Sequence, residues 1–463
     1  MKKALLLAMV LLLSVMLAAC GVADDTQGQQ ASEKPAAATS TETEQVETAG
    51  EDYGIATEIT EPVVIEFWNS MTGVNGDILA EITDRFNEEH DMIEVKLVYQ
   101  GGYRDLFEKL MASARAGQLP PLSQIYSNRL SWYVGQGLVE ALDPYMYHPE
   151  IGYTEEEIMD IMGAYRDDGV WNDTYYALPF NKSSQRLYYN QDMFDDAGIE
   201  VPTTWEELEN AARILTQDID GNGRKDIYGL VLQNNVSTDI APWVWQAGGK
   251  HMCDDEDTIF FESDAMKEAV TFINNLIQED IARLAGEDGR SNVPLEQGRA
   301  AMAIASTSRI PSIRDNIVPG TNWGIAPLPS HKEDVQLYFG TNVTIFNTPT
   351  PEEKLAAFIY LKYLINQENA AYWAMNTGYL PIRYSVLEMK EFKAFAEENP
   401  RDVAALKGID VGRQGMRLVG AMSALDVLGE ELEEIIHNRK TIDEALADAQ
   451  RRGLEAIEQA RRN

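Results

Sequence analysis

Cysteine is nearly missing from this 463-residue chain, which has only Cys20 and Cys253. A disulfide framework is therefore excluded, and stability has to come from buried apolar cores. Histidine is scarce too, with five scattered residues. Neither a His-Glu-x-x-His helix nor a Gly-x-Ser-x-Gly turn occurs, which removes the signatures of zinc peptidases and α/β-hydrolases. Positive charge is the third shortage: 38 Lys and Arg against 75 Asp and Glu leave a formal net charge of −37. That balance excludes nucleic acid as a partner, because its binding rests on Lys and Arg neutralising phosphates. It also argues against electrostatic docking on anionic lipid. The acidity reads as a solvated surface. Repeats, which a structural surface protein would show, are absent as well. A secreted hydrolase acting on carbohydrate or phosphodiester with paired carboxylates stays as the alternative, although 75 acids make chance pairs inevitable.

What is present begins at the N-terminus. Lys2 and Lys3 precede an apolar stretch that ends in Leu17-Ala18-Ala19-Cys20. A positive start, an apolar middle and small residues before the cut make residues 1–19 a secretory signal peptide. The final Cys makes it a lipobox, with Cys20 lipidated as the first mature residue. The stretch falls short of the ~20 apolar residues of a membrane span. The expected location is the extracytoplasmic face of the cell membrane, which is the periplasmic side if there are two membranes. Residues 20–60 are rich in Ala, Thr, Ser, Gln and Glu without apolar period, and read as a disordered tether. A flexible chain of that length spans roughly 35 Å.

The rest, 44 % hydrophobic over the whole chain, is long enough for two lobes. Val63–Trp68 is a β-branched strand, 78–90 a helix, Ile93–Tyr99 an alternating strand, and Tyr103–Ala116 a helix closed by Gly117. This β-α-β-α opening predicts an α/β lobe with a parallel sheet. The pattern repeats with strands at 186–189, 228–232, 300–304 and 323–326. A helix at 204–215 opens on the capping box Thr204 to Glu207. Helices are expected over 351–367, 368–376, 424–437 and 441–461.

Six segments in order, VIEFWNSMTG (64–73), ALPFNKSSQRLYYN (177–190), PTTWEEL (202–208), QGRAAMAIAS (297–306), WGIAPLP (323–329) and NTGYLP (376–381), resemble the extracellular solute-binding proteins of ABC importers. The resemblance runs from about residue 62 to the end and is to the carbohydrate-binding group, its glycerol-phosphate branch above all. It implies a two-lobed periplasmic-binding-protein type II fold with the ligand cleft between the lobes. Lobe 1 would be 61–179 plus 337–378, and lobe 2 would be 180–336 plus 379–463. A monomer is expected, closing on a sugar or glycerol-phosphate-type solute and delivering it to membrane permease subunits.

The resemblance also implies ligand contacts at Tyr103, Ser183, Ser184, Ser306, Gly340, Thr341, Tyr379 and Arg417, with Arg413 as the alternative arginine. Thr307 and Ser308 extend the Ser306 loop, for which an ordinary hydroxyl turn is the plainer reading. Ser127 stands where the branch has a glutamate. Asn234–Ser237 stand where it has a tryptophan, and Lys182 adds a positive charge, so the ligand stays open. Trp68, Trp243 and Trp245 are cleft walls or core residues.

A separate motif is Asp218-x-Asp220-x-Asn222-Gly223-Arg224-x-Asp226, with oxygen donors at positions 1, 3, 5 and 9 and a backbone ligand at 7. It matches the first part of an EF-hand calcium loop, although Gly229 replaces the acid at position 12. Structural Ca²⁺ or a solvated acidic turn are the two readings; no other cofactor is expected.

Overall fold

The computed structural model describes residues 53–253, 258–408, 411–414 and 418–462. The signal peptide, Cys20 and Arg417 lie outside them. Ten strands form the main sheet: β1 (Val63–Asn69), β2 (Ile93–Tyr99), β3 (Leu122–Ile125), β4 (Ala177–Asn190), β5 (Tyr228–Leu232), β6 (Ala282–Leu284), β7 (Ala300–Ser306), β8 (Trp323–Ala326), β9 (Gln336–Ile345) and β10 (Gly412–Gln414). Their order is β6-β5-β7-β4-β9-β3-β1-β2, with β8 beside β4 and β10 beside β9.

The sheet is two sheets sharing strands. β1 pairs with β2 and β3 in parallel, and β5 pairs with β6 and β7 in parallel. The long β4 joins the two groups. Its first half lies antiparallel to β9, from Ala177 opposite Thr344 to Ser184 opposite Tyr338. Its second half lies antiparallel to β7, from Gln185 opposite Ser306 to Tyr189 opposite Met302. A strand buried on both faces ordinarily reads as unbroken apolar sequence. β4 instead carries Asn181, Lys182, Ser183, Ser184, Gln185 and Arg186 in succession, all buried. Each such group needs a hydrogen-bond partner, so this stretch marks where side-chain networks replace apolar packing.

Two large cores flank it. The first draws on residues 65–180 and 338–392, including Phe67, Phe86, Phe180 and Tyr360. The Val74–Glu89 helix turns Ile78, Leu79, Ile82 and Phe86 inward at helical spacing, each worth about 1.5–3 kcal/mol when fully buried. The second core runs from Leu187 to Leu328 and from Leu418 to Ile457. There the Trp205–Leu215 helix starts on the Thr204–Glu207 capping box, and the Ala421–Ile436 and Ile442–Arg462 helices pack on one another.

Two expectations need correction. Lobe 2 was to resume at residue 379, but Tyr379, Leu380, Ile382, Val386 and Phe392 belong to the first core. Backbone bonds hold them there: Leu380 N donates to Lys182 O (2.7 Å) and Met162 N to Ile382 O (2.9 Å). The chain joins the second lobe between Phe392 and Ala405. The tether was to reach residue 60, yet Ile55, Ala56 and Ile59 already pack on the first core. Thr60 donates from both its amide and its hydroxyl to Glu352 (3.1 and 2.7 Å). Trp243 and Trp245 are buried core residues; Trp243 lies 5.5 Å from the Trp205 ring.

Candidate functional site

In open parallel sheets the strands' carboxyl ends form the binding edge. β1, β2 and β3 deliver Ser70, Tyr103 and Ser127 to that edge of the first lobe, just beyond their last residues. β5, β6 and β7 deliver the 233–240, 285–292 and 306–309 loops to the corresponding edge of the second. Because β4 runs antiparallel to β7, its residue Gln185 meets Ser306 at this edge.

Tyr103 opens the Tyr103–Ala116 helix, after Gly101 and Gly102. Its hydroxyl accepts from Asn181 Nδ2 (2.8 Å) and is hydrogen-bonded to Tyr379. Its ring lies 5.1 Å from that of Tyr126. Asn181 Oδ1 accepts from Gln124 Nε2 (3.0 Å) and from the Thr341 hydroxyl, and Gln124 also donates to Thr341 Oγ1 (3.1 Å). The structure thus brings Tyr103, Thr341 and Tyr379 together through Gln124 and Asn181, two residues that sequence reasoning missed. Gly340 sits beside them at φ +127°, and a Cβ there would come within 2.1 Å of Asn181 O. Only glycine fits this approach of β9 to β4.

Three of the predicted serines are otherwise engaged. Ser184 donates to Leu337 O (2.7 Å) and accepts from Arg186, so it belongs to the hinge. Ser127 accepts from Asn342 Nδ2 (3.2 Å). Ser183 makes a long bond to Phe339 O (3.4 Å). Behind them Lys182 Nζ meets Asp168 Oδ2 at 2.6 Å, and Asn342 Nδ2 donates to the same oxygen (3.0 Å). Ser306 caps a short turn, accepting from Ser308 N (3.3 Å), which is the ordinary hydroxyl turn of such loops. That turn ends in Arg309, a third missed residue, three positions beyond Ser306. Arg413 is spent on Glu333 at 3.1 Å.

Arg309 is half-buried and makes no ion pair among the described residues. Burial and the neighbouring Arg290 both disfavour its charge, while Tyr379, Tyr188 and Tyr103 interact with it electrostatically. Tyr126 feels the same guanidinium. A cation with rings beside it and no acid to neutralise it can accept an anion through a planar fork of donors.

Asp239, at the end of the short Val236–Asp239 helix after β5, takes a hydrogen bond from the Gln185 side chain, yet burial pushes its carboxyl up to about 7. The unfolded chain releases this proton near pH 4, the folded one near 7, so stability falls as pH rises through that window. Asp239→Asn is therefore expected to melt higher than the parent at pH 8, and the gain should shrink towards pH 4. Melts across the pH series check this; a constant gain would contradict it.

Asp218, Asp220 and Asp226 lie together, with one carboxylate oxygen of each within 4.8 Å of the others. Asn222 N and Gly223 N donate to Asp218 (3.1 and 2.9 Å), Ile219 N to Asp226 (2.7 Å) and Arg224 N to Asn222 Oδ1 (2.8 Å). Three clustered carboxylates on an exposed turn are a donor set that suits a hard cation.

A family model for bacterial extracellular solute-binding proteins matches residues 81–400. The sn-glycerol-3-phosphate-binding periplasmic protein UgpB of Pectobacterium atrosepticum is 25 % identical over 407 residues, covering 84 % of this chain and 90 % of its own length. UgpB from Mycobacterium tuberculosis, in complex with glycerophosphocholine, superposes with a TM-score of 0.75 at 23 % identity, over 86 % of this chain and 99 % of that one. The maltose/maltodextrin-binding domain MalE from Bdellovibrio bacteriovorus, bound to maltotriose, gives 0.72 at 21 % identity, over 87 % and 100 %. With two cores joined by a shared polar strand and two binding edges of parallel strands, the chain belongs to the bacterial extracellular solute-binding protein family.

Proposed function

We propose that this protein is the lipid-anchored capture component of an ABC importer, and that its solute is a small polyol bearing an anionic group, of the glycerol-phosphate or sugar-phosphate type. The observation that carries the reading is the Tyr103, Tyr126 and Tyr379 group with the uncompensated Arg309 beside it. Aromatic faces suit carbon edges, and an unpaired guanidinium suits phosphate. Tyr103, Gly340, Thr341, Tyr379 and the Ser306 loop would line the closed cleft. Ser127, Ser183 and Ser184 would support it from the hinge, and Arg417 would add a second positive charge. Closure is the signal a permease would read, and a solute drives it only by binding the closed form more tightly. Lipidation of Cys20 would hold the protein at the membrane.

A thermal-shift screen tests the reading, because a ligand specific for the native state adds RT ln(1 + [L]/Kd). Glycerol-3-phosphate or glycerophosphocholine should raise the melting temperature and be recovered unchanged. Shifts with neutral oligosaccharides alone would reject the anionic solute. In the same assay Ca²⁺ is expected to raise the melting temperature and a chelator to lower it, with Asp218→Asn/Asp220→Asn abolishing the response. No response to Ca²⁺ in the parent would leave the 218–226 turn a solvated one.

A further inference from the structure

The second-lobe edge holds two neighbouring hydrogen-bond acceptors with unused capacity among the described residues. Gln185 is 2 % exposed, and its Oε1 has no donor. Its amide is turned to the Asp239 carboxylate, and one amide N–H occupies only part of that group's acceptor capacity. No cation pairs with Asp239 among the described residues, and burial alone disfavours its charge. A buried acceptor left open, as Gln185 Oε1 is, costs free energy that a bound donor would recover. Both lie at the edge where Arg309 stands: Gln185 is the cross-strand partner of Ser306, and Asp239 ends the short Val236–Asp239 helix that follows β5, a parallel neighbour of β7.

We infer that Asp239 and Gln185 form a diol-reading subsite, accepting the protons of two neighbouring hydroxyls on the solute whose anionic group meets Arg309. This rests on the anionic-polyol reading above and adds the recognition of its uncharged end. Hydroxyls supply the two missing donors at adjacent positions, and a bond to the ionised carboxylate is charge-assisted. A solute without the diol would leave Gln185 Oε1 unpaired and Asp239 with the Gln185 amide alone, which is how a polar site rejects the wrong molecule.

The same arrangement links capture to pH. Asp239 must be ionised to accept fully, and it surrenders its proton near neutrality. The charged groups around it are few. Asp426 and Glu430 lie on the Ala421–Ile436 helix that packs on its short helix; Arg129 faces the first and Arg452 pairs with the second. The adjoining Ala241–Gln246 helix carries no titratable side chain. Arg186 is committed to Ala405 O and Lys407 O, and Arg309 on the neighbouring loop exerts no pull on the Asp239 carboxyl.

Titration calorimetry of the full chain with glycerophosphocholine tests this, since its phosphodiester stays ionised between pH 5.5 and 8. Phosphocholine ethyl ester, which lacks the diol, is the control. The parent's affinity for glycerophosphocholine should fall by up to about tenfold per pH unit below 7. Asp239→Asn should flatten that profile, weaken glycerophosphocholine tenfold or more at pH 8, and leave the ethyl ester unchanged. A flat parental profile, or equal losses for both compounds, overturns the diol subsite while the anionic-polyol reading stands. Failure of the parent to bind either compound at pH 8 overturns both.

Discussion

Replacing Lys182 by Met is expected to cost the protein about 3–5 kcal/mol of stability, the range for breaking one side of a buried ion pair. Lys182 and Asp168 are almost wholly inaccessible, and their 2.6 Å contact lies where the strand shared by the two lobes passes the first core. Burial lowers the lysine's affinity for its proton, and the Asp168 charge offsets part of that loss. Methionine would fill much of the volume but leave a buried carboxylate with the Asn342 amide as its side-chain partner among the described residues. The penalty is that of an uncompensated charge, so removing the charge as well should recover most of it. Urea unfolding of Lys182→Met, Asp168→Asn and the double variant decides the matter. Additive losses would mean that the two side chains act separately and that the pair is not the unit described.

Arg309→Gln should weaken an anionic solute about 100-fold, as loss of a charge-assisted fork costs roughly 1.5–3 kcal/mol. It should change affinity for a neutral oligosaccharide little. The variant is expected to fold well, because the guanidinium makes no ion pair among the described residues and its burial is unfavourable. Glutamine keeps two donors and some of the length, so the comparison isolates the charge. Calorimetry with glycerol-3-phosphate and maltotriose checks it. Equal losses for both would make Arg309 a shape-determining residue, and unchanged affinity for the phosphate would turn attention to Arg417.

Much of this architecture could be read from order and spacing. The strands at 63–69 and 93–99 and the helix from Tyr103 to Gly117 are legible because apolar periodicity and cap residues agree locally. The hinge strand was legible by pattern only at its end, 186–189, and otherwise by resemblance, since ALPFNKSSQ has neither strand alternation nor an unbroken apolar run. Apart from Lys182, whose partner Asp168 is 14 positions back, its polar residues have partners far off in the chain, such as Gln124 for Asn181 and Leu337 for Ser184. Tyr103, Thr341 and Tyr379 could be anticipated by matching positions. Arg309 and Asp239 could not. Each sits in a connection whose meaning depends on which strands lie parallel, and strand order is not written in any local pattern. The misjudged boundary at 379 has the same origin: apolar Leu380 and Ile382 carry no mark of which core they enter.

The two-part first core has a consequence for synthesis. Phe67 and Phe180 wait for Tyr338, Phe358 and Phe392 before their packing is complete. Between residues 180 and 338 a ribosome takes roughly 10–30 s at 5–20 residues per second. Throughout that interval the opening β-α-β-α segment has been made but cannot finish its core, since one wall is still untranslated. The nascent chain is thereby kept from closing early, a state in which an export channel could still thread it as an extended polymer.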